Sequence, residues 1–491
     1  MTRSSGVLLP IHSLPSPYGI GTIGKSAYDF VDFLKAAGQK YWQILPIGFT
    51  DAAGSPYSSV STFAGNPAYI DLDMLEHAGM LDKTVLSDND FSGNAGWVSR
   101  EAVIAEREKL LYTVYKNGRG MVAAEMSEFR AECDWLHGFA LYMALRRHFE
   151  GKPWYEWPEE IRARRPDAVV QFEETLCNEI DYQEFLQLLF FRQWRSLRDY
   201  AHKNGIRILG DVPIYVAADS ADVWLEPWFF KLDERFSPVD VAGVPPDYFC
   251  EDGQLWGNPL YDWNRMHSDG WGWWIRRIEG AAKLYDSIRI DHFRAFASYW
   301  AVPSGEETAK NGEWRKGPGL ELVSTLINWF SGTEFIAEDL GILTPDVGEL
   351  INASGLPGMK VLEFAFSPDG ASDYLPYKYE KNCVCYAGTH DNNTILGWLA
   401  DISAEEKAFA EKYLAINRGE GWCWGMLRGG MASAAGLYIA QMQDLLEKPA
   451  ECRMNTPGTD SGNWRWRMLP GECCPALAER LLGYTKLYGR I

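Results

Sequence analysis

Short apolar runs alternate with longer segments of helical periodicity along most of the chain. Residues 26–37 have the spacing of an amphipathic helix, for which Ser26 is the predicted N-cap and Gly38 lies just past the end. The apolar run 41–47 follows this helix and is typical of a strand. The same order recurs later, where the predicted helix 181–203 precedes another apolar run.

Eight apolar runs of this kind predict strands. They occupy residues 6–11, 41–47, 206–216, 287–293, 335–340, 359–366, 383–389 and 437–441. Because the strands alternate with helices, the pattern favours a parallel sheet of the α/β class. Eight such strands favour closure of the sheet into a (β/α)8 TIM barrel.

Two stretches interrupt the alternation, and we interpret both as insertions on a single barrel domain of residues 1–491. The first, 73–180, is charged and mostly helical in pattern, and residues 129–149 predict one of its helices. The second, 217–282, is rich in Trp, Pro, Gly and Asp. It carries the segment 247–259, which we expect to form a loop at the mouth of the barrel.

The charge balance excludes several classes of partner. The 491 residues include 67 acidic and 47 basic side chains, which gives a formal net charge of −20. Such a surface repels nucleic acid and anionic membranes, so neither is an expected partner. No apolar run approaches the roughly 18 residues of a membrane span, and the start of the chain does not have the pattern of a signal peptide. The nine cysteines fit a reducing compartment, and we expect a cytoplasmic location.

A glycine motif near the start of the chain resembles a nucleotide-binding site. Residues 19–24 match GxGxxG between a predicted strand and a predicted helix. However, Pro10, Pro15 and Pro17 place a long, stiff loop where a nucleotide-binding fold needs a tight turn. We therefore interpret the glycines as backbone turns near the barrel mouth, with a dehydrogenase as the alternative.

Acidic residues stand at or near the ends of four predicted strands. Asp211, Asp291, Glu338 and Asp391 lie in the segments GDVP, RIDHFR, AEDLG and GTHDN. The carboxyl ends of barrel strands meet at one face, so these four side chains are expected to converge. Paired carboxylates are what glycosidic-bond chemistry requires, one as nucleophile and one as acid and base.

The local pattern leaves two assignments open. Arg289 and Asp291 share one face of their predicted strand, so that Arg289 would keep the carboxylate ionised. The same pair is equally consistent with a structural ion pair. Of the adjacent carboxylates Glu338 and Asp339, the spacing does not say which one is chemical.

The four strand-end segments, in this order, resemble motifs of the α-amylase superfamily. Within that superfamily the chain is similar to the amylomaltases, or 4-α-glucanotransferases, which are also called disproportionating enzymes. Further segments in the family's order are SPYSSVSTFAGNP, VAGVPPDYF, GQLWGNPLYDW, LPGMKVLEFAF and RMNTPGTDSGNWRWR. The resemblance spans nearly the whole chain, apart from the helical insertion before residue 181.

The resemblance implies retaining transfer of part of an α-1,4-glucan to the 4-hydroxyl of glucose or another α-glucan, through a covalent glycosyl-enzyme. Asp291 would be the nucleophile, Glu338 the acid and base, and Asp391 would bind the 2- and 3-hydroxyls of the sugar. Other implied site residues are Tyr57, Asp211, Tyr248, Phe249, Trp256, Arg289, His292, Asp369, His390, Asn463 and Trp464. The expected partners are maltooligosaccharides and other α-1,4-glucans, with glucose as acceptor, and no cofactor or metal.

Two other functions remain open at this point. An α-amylase-type hydrolase would share the three carboxylates, but only 100 residues follow Asp391, which is too few for the C-terminal β-sandwich usual in those hydrolases. A non-catalytic glucan-binding protein would share the aromatic residues, but the intact set of carboxylates argues against it. The aromatic segment 247–259 is a predicted mobile lid, or its aromatics merely anchor the loop to the barrel.

Overall fold

The computed structural model describes the whole chain except residues 1, 52, 88–90, 92–93, 99, 247–250, 342–343 and 460, and the side chains of 100–102. Two sheets form. In chain order the strands are β1 (Ser4–Leu8), β2 (Tyr41–Gln43), β3 (Arg207–Pro213), β4 (Asp240–Val244), β5 (Gln254–Pro259), β6 (Ser287–Asp291), β7 (Ser298–Pro303), β8 (Glu313–Lys316), β9 (Glu334–Ala337), β10 (Gly358–Val361), β11 (Cys383–Tyr386) and β12 (Leu437–Gln441).

Eight of these strands form one parallel sheet in the order β10-β11-β12-β1-β2-β3-β6-β9. The first and last strands in the chain are neighbours, with Ser4 opposite Leu437 and Leu8 opposite Gln441. β9 and β10, at the two ends of the order, meet where the Ala337 N–H donates to the Pro357 carbonyl (2.9 Å). The predicted (β/α)8 barrel is therefore confirmed, and all eight predicted strands are present.

Alternation along the strands separates two apolar layers. One cluster lies inside the barrel and includes Leu209, Ile336 and Met359. The other includes Ile288 and Ile290, which face outward to the helices. Because successive strand residues point to opposite faces, Arg289, which lies between these isoleucines, points into the barrel.

The helices surround the sheet, and α1, α9, α12 and α17 contact the strands directly. Their bounds are α1 (Lys25–Ala36), α2 (Leu72–His77), α3 (Lys83–Ser87), α4 (Arg100–Gly118), α5 (Ala123–Glu132), α6 (Leu136–His148), α7 (Glu159–Arg162), α8 (Pro166–Thr175), α9 (Cys177–Lys203), α10 (Ala221–Leu225), α11 (Trp263–Ser268), α12 (Gly272–Leu284), α13 (Leu320–Trp329), α14 (Pro345–Ser354), α15 (Ile395–Asp401), α16 (Ala404–Leu414), α17 (Gly421–Ala432), α18 (Met442–Leu445) and α19 (Pro475–Leu487). Among the described residues, no helix is both long and apolar enough to cross a bilayer.

The predicted helix 129–149 is wrong, because the structure has two helices there, α5 and α6, with a break between them. Phe129 contacts Phe191 of α9 (ring centroids 5.7 Å apart), and Trp135 contacts the same ring (5.9 Å). The break thus lets Phe129 of α5 and Trp135, the N-cap of α6, pack on one aromatic ring of α9.

The second sheet was not predicted. It is antiparallel, in the order β5-β4-β7-β8, and two of its strands lie within residues 217–282. Its strands are four to six residues long and rich in Gly and Trp, and the β4–β5 register shifts between Val241 and Gly243. Consequently the regular alternation that marks a strand in the sequence is missing. The predicted loop 247–259 is a strand from Gln254 onward.

The GxGxxG segment is filled by the protein itself. A Cβ at Gly21 would overlap the Ile11 carbonyl, and one at Gly24 would overlap the Asp71 carboxylate. Gly24 is the N-cap of α1, so the predicted cap Ser26 is wrong. The Asp71 carboxylate takes the place beside the helix start where a dinucleotide phosphate would bind.

We expect Gly24→Ala to lower the free energy of unfolding by about 1–3 kcal/mol. The added methyl group would displace Asp71, whose carboxylate accepts hydrogen bonds from Thr22 Oγ1 (2.7 Å) and from the Met74 N–H (3.0 Å). Urea denaturation measures the change.

Gly348→Ala is the matched control, since a Cβ at this position in α14 would meet nothing within 4 Å. Alanine is the better helix former, so this variant should be unchanged or more stable by up to about 1 kcal/mol. Equal destabilisation of both variants would contradict the packing account of Gly24.

Candidate active site

The acidic strand-end residues converge at one end of the barrel. Asp211 on β3 is directly opposite Arg289 on β6, and Ile290 is directly opposite Ala337 on β9. Asp291 is the last residue of β6 and Glu338 directly follows β9, and the Glu338 N–H donates to the Ile290 carbonyl (3.1 Å). Strand register therefore brings the two carboxyl groups side by side.

Arg289 lies inside the barrel between two carboxylates. Its guanidinium forms ion pairs with Asp211 (2.7 Å) and Asp291 (2.9 Å), and the side chains of Arg289 and Asp211 are only 3% and 0% exposed. A buried charge needs such partners, because burial alone would strongly favour the neutral form. The two carboxylates raise the pKa of Arg289 against the opposing effect of burial, so it remains a cation.

Opposing influences act on Asp291. Burial raises the pKa of its carboxyl group above the ordinary value; Arg289 opposes this rise, and the neighbouring carboxylates of Asp211, Glu338 and Asp391 add to it. Arg289 is thus the cation that favours ionisation of Asp291 among several negative groups. The expectation that Arg289 and Asp291 pair is confirmed by the geometry.

Glu338 is held by two backbone amides. The His292 N–H donates to one carboxyl oxygen (2.7 Å), and the Leu340 N–H donates to the other (2.7 Å). His292 reaches this position in the left-handed conformation (φ 51°), where the chain turns sharply after β6. Burial raises the pKa of Glu338, and these amides partly oppose the rise. The neighbouring Asp339 instead accepts from the Met359 N–H (2.6 Å), toward β10.

A hydrogen-bonded chain runs from Asp211 through Tyr57 to His390, the residue next to Asp391. The Tyr57 hydroxyl donates to Asp211 (2.7 Å) and lies 2.8 Å from Nε2 of His390. Burial lowers the pKa of His390 and raises that of Tyr57, so both are neutral. The hydroxyl proton points to Asp211; hence Nε2 of His390 is the protonated nitrogen and donates to the hydroxyl.

Asp391 is positioned from the C-terminal part of the chain. Asn455 Nδ2 donates to its carboxylate (2.6 Å), and Arg453 Nη2 donates to its backbone carbonyl (2.6 Å). His390 Nε2 lies 3.4 Å from the other carboxylate oxygen. Arg453 and Asn455 flank the fully buried Met454, which turns both polar side chains toward Asp391.

Aromatic side chains border the acidic cluster. The Tyr57 ring stacks on His390 (5.3 Å), and Trp464 contacts both rings (5.8 Å each). On the other side Trp256, on β5, meets the His292 ring edge to face (4.7 Å). Burial and the nearby Arg294 lower the pKa of His292 to about 3, so this imidazole is neutral.

One known protein family matches most of the chain. The model of glycoside hydrolase family 77, described as 4-alpha-glucanotransferase, matches residues 9–471. The chain belongs to this family. The family relationship that the strand-end motifs predicted is thereby confirmed, and the dehydrogenase alternative is excluded.

Relatives in the 4-alpha-glucanotransferase family match along their full length. The 4-alpha-glucanotransferase of Clostridium butyricum is 45% identical and covers 98% of this chain and 99% of its own. That of Thermus thermophilus is 44% identical over 100% of both chains. The structure of an amylomaltase from Streptococcus agalactiae in complex with acarbose has a TM-score of 0.98 and 41% identity, over 99% of both chains.

Of the other predicted site residues, two form hydrogen bonds within their own loops and two lie outside the described residues. Asp369 is exposed and accepts from Ser367 Oγ (2.6 Å) and the Ala371 N–H (3.0 Å) of its own loop. Asn463 accepts from the Thr456 N–H (2.9 Å). Tyr248 and Phe249 lie outside the described residues.

Arg453 and Asn455 were not predicted as site residues from the sequence. Both occur in the segment RMNTPGTDSGNWRWR, but nothing in their spacing relates them to Asp391, 62 and 64 residues away. The available indication was the polar-apolar-polar order around Met454, which is typical of an extended segment with one buried face.

We expect Tyr57→Phe to lower the free energy of unfolding by about 1–3 kcal/mol, because the buried Asp211 loses a hydrogen-bond donor. Urea denaturation measures the loss. Tyr377→Phe is the control, since Tyr377 is 69% exposed and should change by less than about 0.5 kcal/mol. An equally small effect at Tyr57 would contradict the hydrogen-bonded chain.

Proposed function

We propose that Asp291, Glu338 and Asp391 carry out retaining 4-α-glucanotransfer in this member of the family. The observation that carries the assignment is the register of β6 and β9, which sets two carboxyl groups at adjacent strand ends. Neighbouring strands lie about 4.8 Å apart, which suits the roughly 5–5.5 Å separation of carboxyl groups in retaining enzymes.

In the first step Asp291 attacks the anomeric carbon of the donor, and the bond from that carbon to the bridging oxygen breaks. Glu338 gives its proton to the departing oxygen, which leaves as the 4-hydroxyl of the released glucan. A raised pKa of Glu338 favours the protonated form that this step requires. The donor segment remains bound to Asp291 as an ester.

In the second step an acceptor 4-hydroxyl attacks the same carbon and loses its proton to the Glu338 carboxylate. The ester bond breaks and Asp291 leaves as a carboxylate, so both side chains return to their starting forms. Two inversions give net retention of the α-configuration. Glucose or a longer α-1,4-glucan would serve as acceptor.

Asp391 would bind the 2- and 3-hydroxyls of the reacting sugar, where hydrogen bonds strengthen as positive charge develops on the ring. Asn455 and Arg453 would fix its direction. Tyr57, His390 and Trp464 would border this sugar, while Asp369, Asn463, Tyr248 and Phe249 would contact more distant units.

Transfer rather than hydrolysis would depend on the acceptor side of the site. Trp256 packs on His292, whose amide binds Glu338, so it borders the place where the acceptor must bind. An indole face there favours a sugar over water.

The eight described cysteines are free thiols, which supports the proposed cytoplasmic location.

Incubation with maltotriose alone tests the function. We expect glucose together with a ladder of longer maltooligosaccharides, whereas a hydrolase would give only shorter products.

Asp291→Asn and Glu338→Gln should lower the rate of transfer at least about 10³-fold. Both variants should be as stable as the wild type, because each change is nearly isosteric. Activity near wild type in either variant would refute the role of that residue.

The configuration of the first product tests the covalent step. The newly formed 1,4-linkage should have the α-configuration in ¹H NMR spectra of the transfer products, since double displacement retains configuration. A β-linkage in these products would rule out a glycosyl-enzyme on Asp291.

Arg289→Lys should shift the acid limb of kcat/KM to higher pH. Arg289 lowers the pKa of Asp291; a cation that cannot reach both carboxylates lowers it less, so ionisation needs a higher pH. Arg207→Lys is the control, because Arg207 pairs with Glu334 (2.6 Å) at the opposite end of the barrel. If the pH profile of kcat/KM did not move in Arg289→Lys, the role of Arg289 would be purely structural.

A further inference from the structure

A carboxyl group packs against the loop that carries Asp391. This loop, residues 387–393, follows β11, and we term it the Asp391 loop; Glu363 comes shortly after the neighbouring strand β10. The Glu363 N–H donates to the Ala387 carbonyl (3.1 Å). A Cβ at Gly388 would lie only 2.6 Å from Glu363 Oε1. The Glu363 side chain therefore lies directly against the backbone of the Asp391 loop.

Glu363 lacks the partners that an ionised carboxylate needs. Its Oε1 atom is shielded from solvent and has no hydrogen-bond partner among the described residues. Burial raises the pKa of Glu363 well above its ordinary value, and the carboxyl groups of Asp444 and Asp401 add to the rise. Arg453 and the Asn393 backbone amide oppose the rise without cancelling it. The carboxyl group of Glu363 is therefore uncharged at neutral pH.

A second buried acid holds the chain just after the Asp391 loop. Asp444, on α18, accepts a hydrogen bond from the Ile395 N–H (2.8 Å) at the first residue of α15. Burial raises the pKa of Asp444 to about 7, and this amide opposes the rise. Cys423 of α17 and Tyr438 of β12 also lie near Asp444. Because Asp444 carries part of a negative charge at neutral pH, a second charge beside it on Glu363 is unfavourable.

Arg453 connects the charge of Glu363 with the position of Asp391. Its Nη2 donates to the Asp391 backbone carbonyl (2.6 Å), and its guanidinium interacts with the carboxyl groups of both Glu363 and Asp391. A guanidinium binds an ionised carboxylate more strongly than a neutral carbonyl. An ionised Glu363 would therefore compete with the Asp391 carbonyl for Arg453, whereas an uncharged Glu363 leaves that hydrogen bond intact.

We propose that Glu363 is a positioning residue for Asp391, and that it acts as an uncharged carboxylic acid packed against the Asp391 loop. This proposal rests on the proposed function, in which Asp391 binds the hydroxyls of the reacting sugar. Glu363 acts through the loop and not by contact with the sugar. Since the hydrogen bonds of Asp391 strengthen in the transition state, a displaced loop lowers kcat more than it raises KM.

Two substitutions of different shape test the positioning role. Glu363→Ala removes the packing against Gly388 and should lower kcat for maltotriose about ten- to a hundredfold, with a smaller change in KM. Glu363→Gln keeps the shape without the charge and should restore most of kcat. Glu349→Gln is the control, since Glu349 is exposed on α14, and should behave as wild type. A kcat of Glu363→Ala near that of the wild type, or an equal loss in both Glu363 variants, would overturn the proposal.

The contact with Gly388 is tested by combining substitutions. Gly388→Ala should lower kcat, because the added methyl group would overlap Glu363 Oε1. Glu363→Ala removes this overlap, so adding Gly388→Ala to that variant should lower kcat by a smaller factor than in the wild type. Equal factors in both backgrounds would mean that Glu363 does not support the Asp391 loop at Gly388, and would contradict the proposal.

The pH dependence of stability tests the uncharged state of Glu363 without any use of activity. A carboxyl group whose pKa is higher in the folded than in the unfolded chain loses stability as the pH rises from its ordinary pKa toward its folded value. The amide in Glu363→Gln does not titrate, so the urea midpoint of this variant should gain on that of the wild type between about pH 4 and about pH 8. A constant or shrinking difference would show that Glu363 ionises as an ordinary acid, and the proposal would fail.

This stability experiment also separates the proposal from the proposed function. If the wild type gave no transfer ladder from maltotriose, the proposed function would fail. The change of the urea midpoint with pH in Glu363→Gln would still report whether Glu363 is uncharged beside the Asp391 loop.

Discussion

One buried cation, Arg289, is the constraint on which the arrangement of the site depends. A guanidinium inside a barrel is tolerated only if carboxylates compensate it. Asp211 and Asp291 do so, and Asp211 in turn requires the Tyr57 hydroxyl, which places His390. Segments far apart in the chain are thus positioned by a single charge. Such a network contributes little net stability, yet any one missing partner leaves a buried group uncompensated.

The barrel interior changes from apolar to acidic within two residues along β3 and at the end of β9. Leu209 and Ile336 belong to the apolar cluster inside the barrel, and the next inward-facing residues are Asp211 and Glu338. The apolar layer below closes the barrel to water from one side. Charged groups can therefore stand just above it, near enough to the mouth to meet a substrate yet sufficiently buried for their pKa values to shift.

The barrel and its acidic cluster could be predicted because both follow from local order. Each apolar run between helices marks a strand, and parallel strands bring their carboxyl ends to one face. The antiparallel sheet could not be predicted, because its short strands depend on pairing rather than on alternation. The start of α1 was misplaced since the group that occupies it, Asp71, belongs to a distant segment. Arg453 and Asn455 were missed for the same reason: their partner is set by tertiary structure.

The parallel pairing of β1 with β12 has a consequence for the growing chain. Asp291 and Glu338 are synthesised well before the last strand of the barrel. The barrel, however, cannot close until residues 437–441 reach β1, and Asp391 is not fixed until Asn455 follows. Such distant pairings form slowly. The two carboxylates are therefore made long before the site to which they belong can be completed.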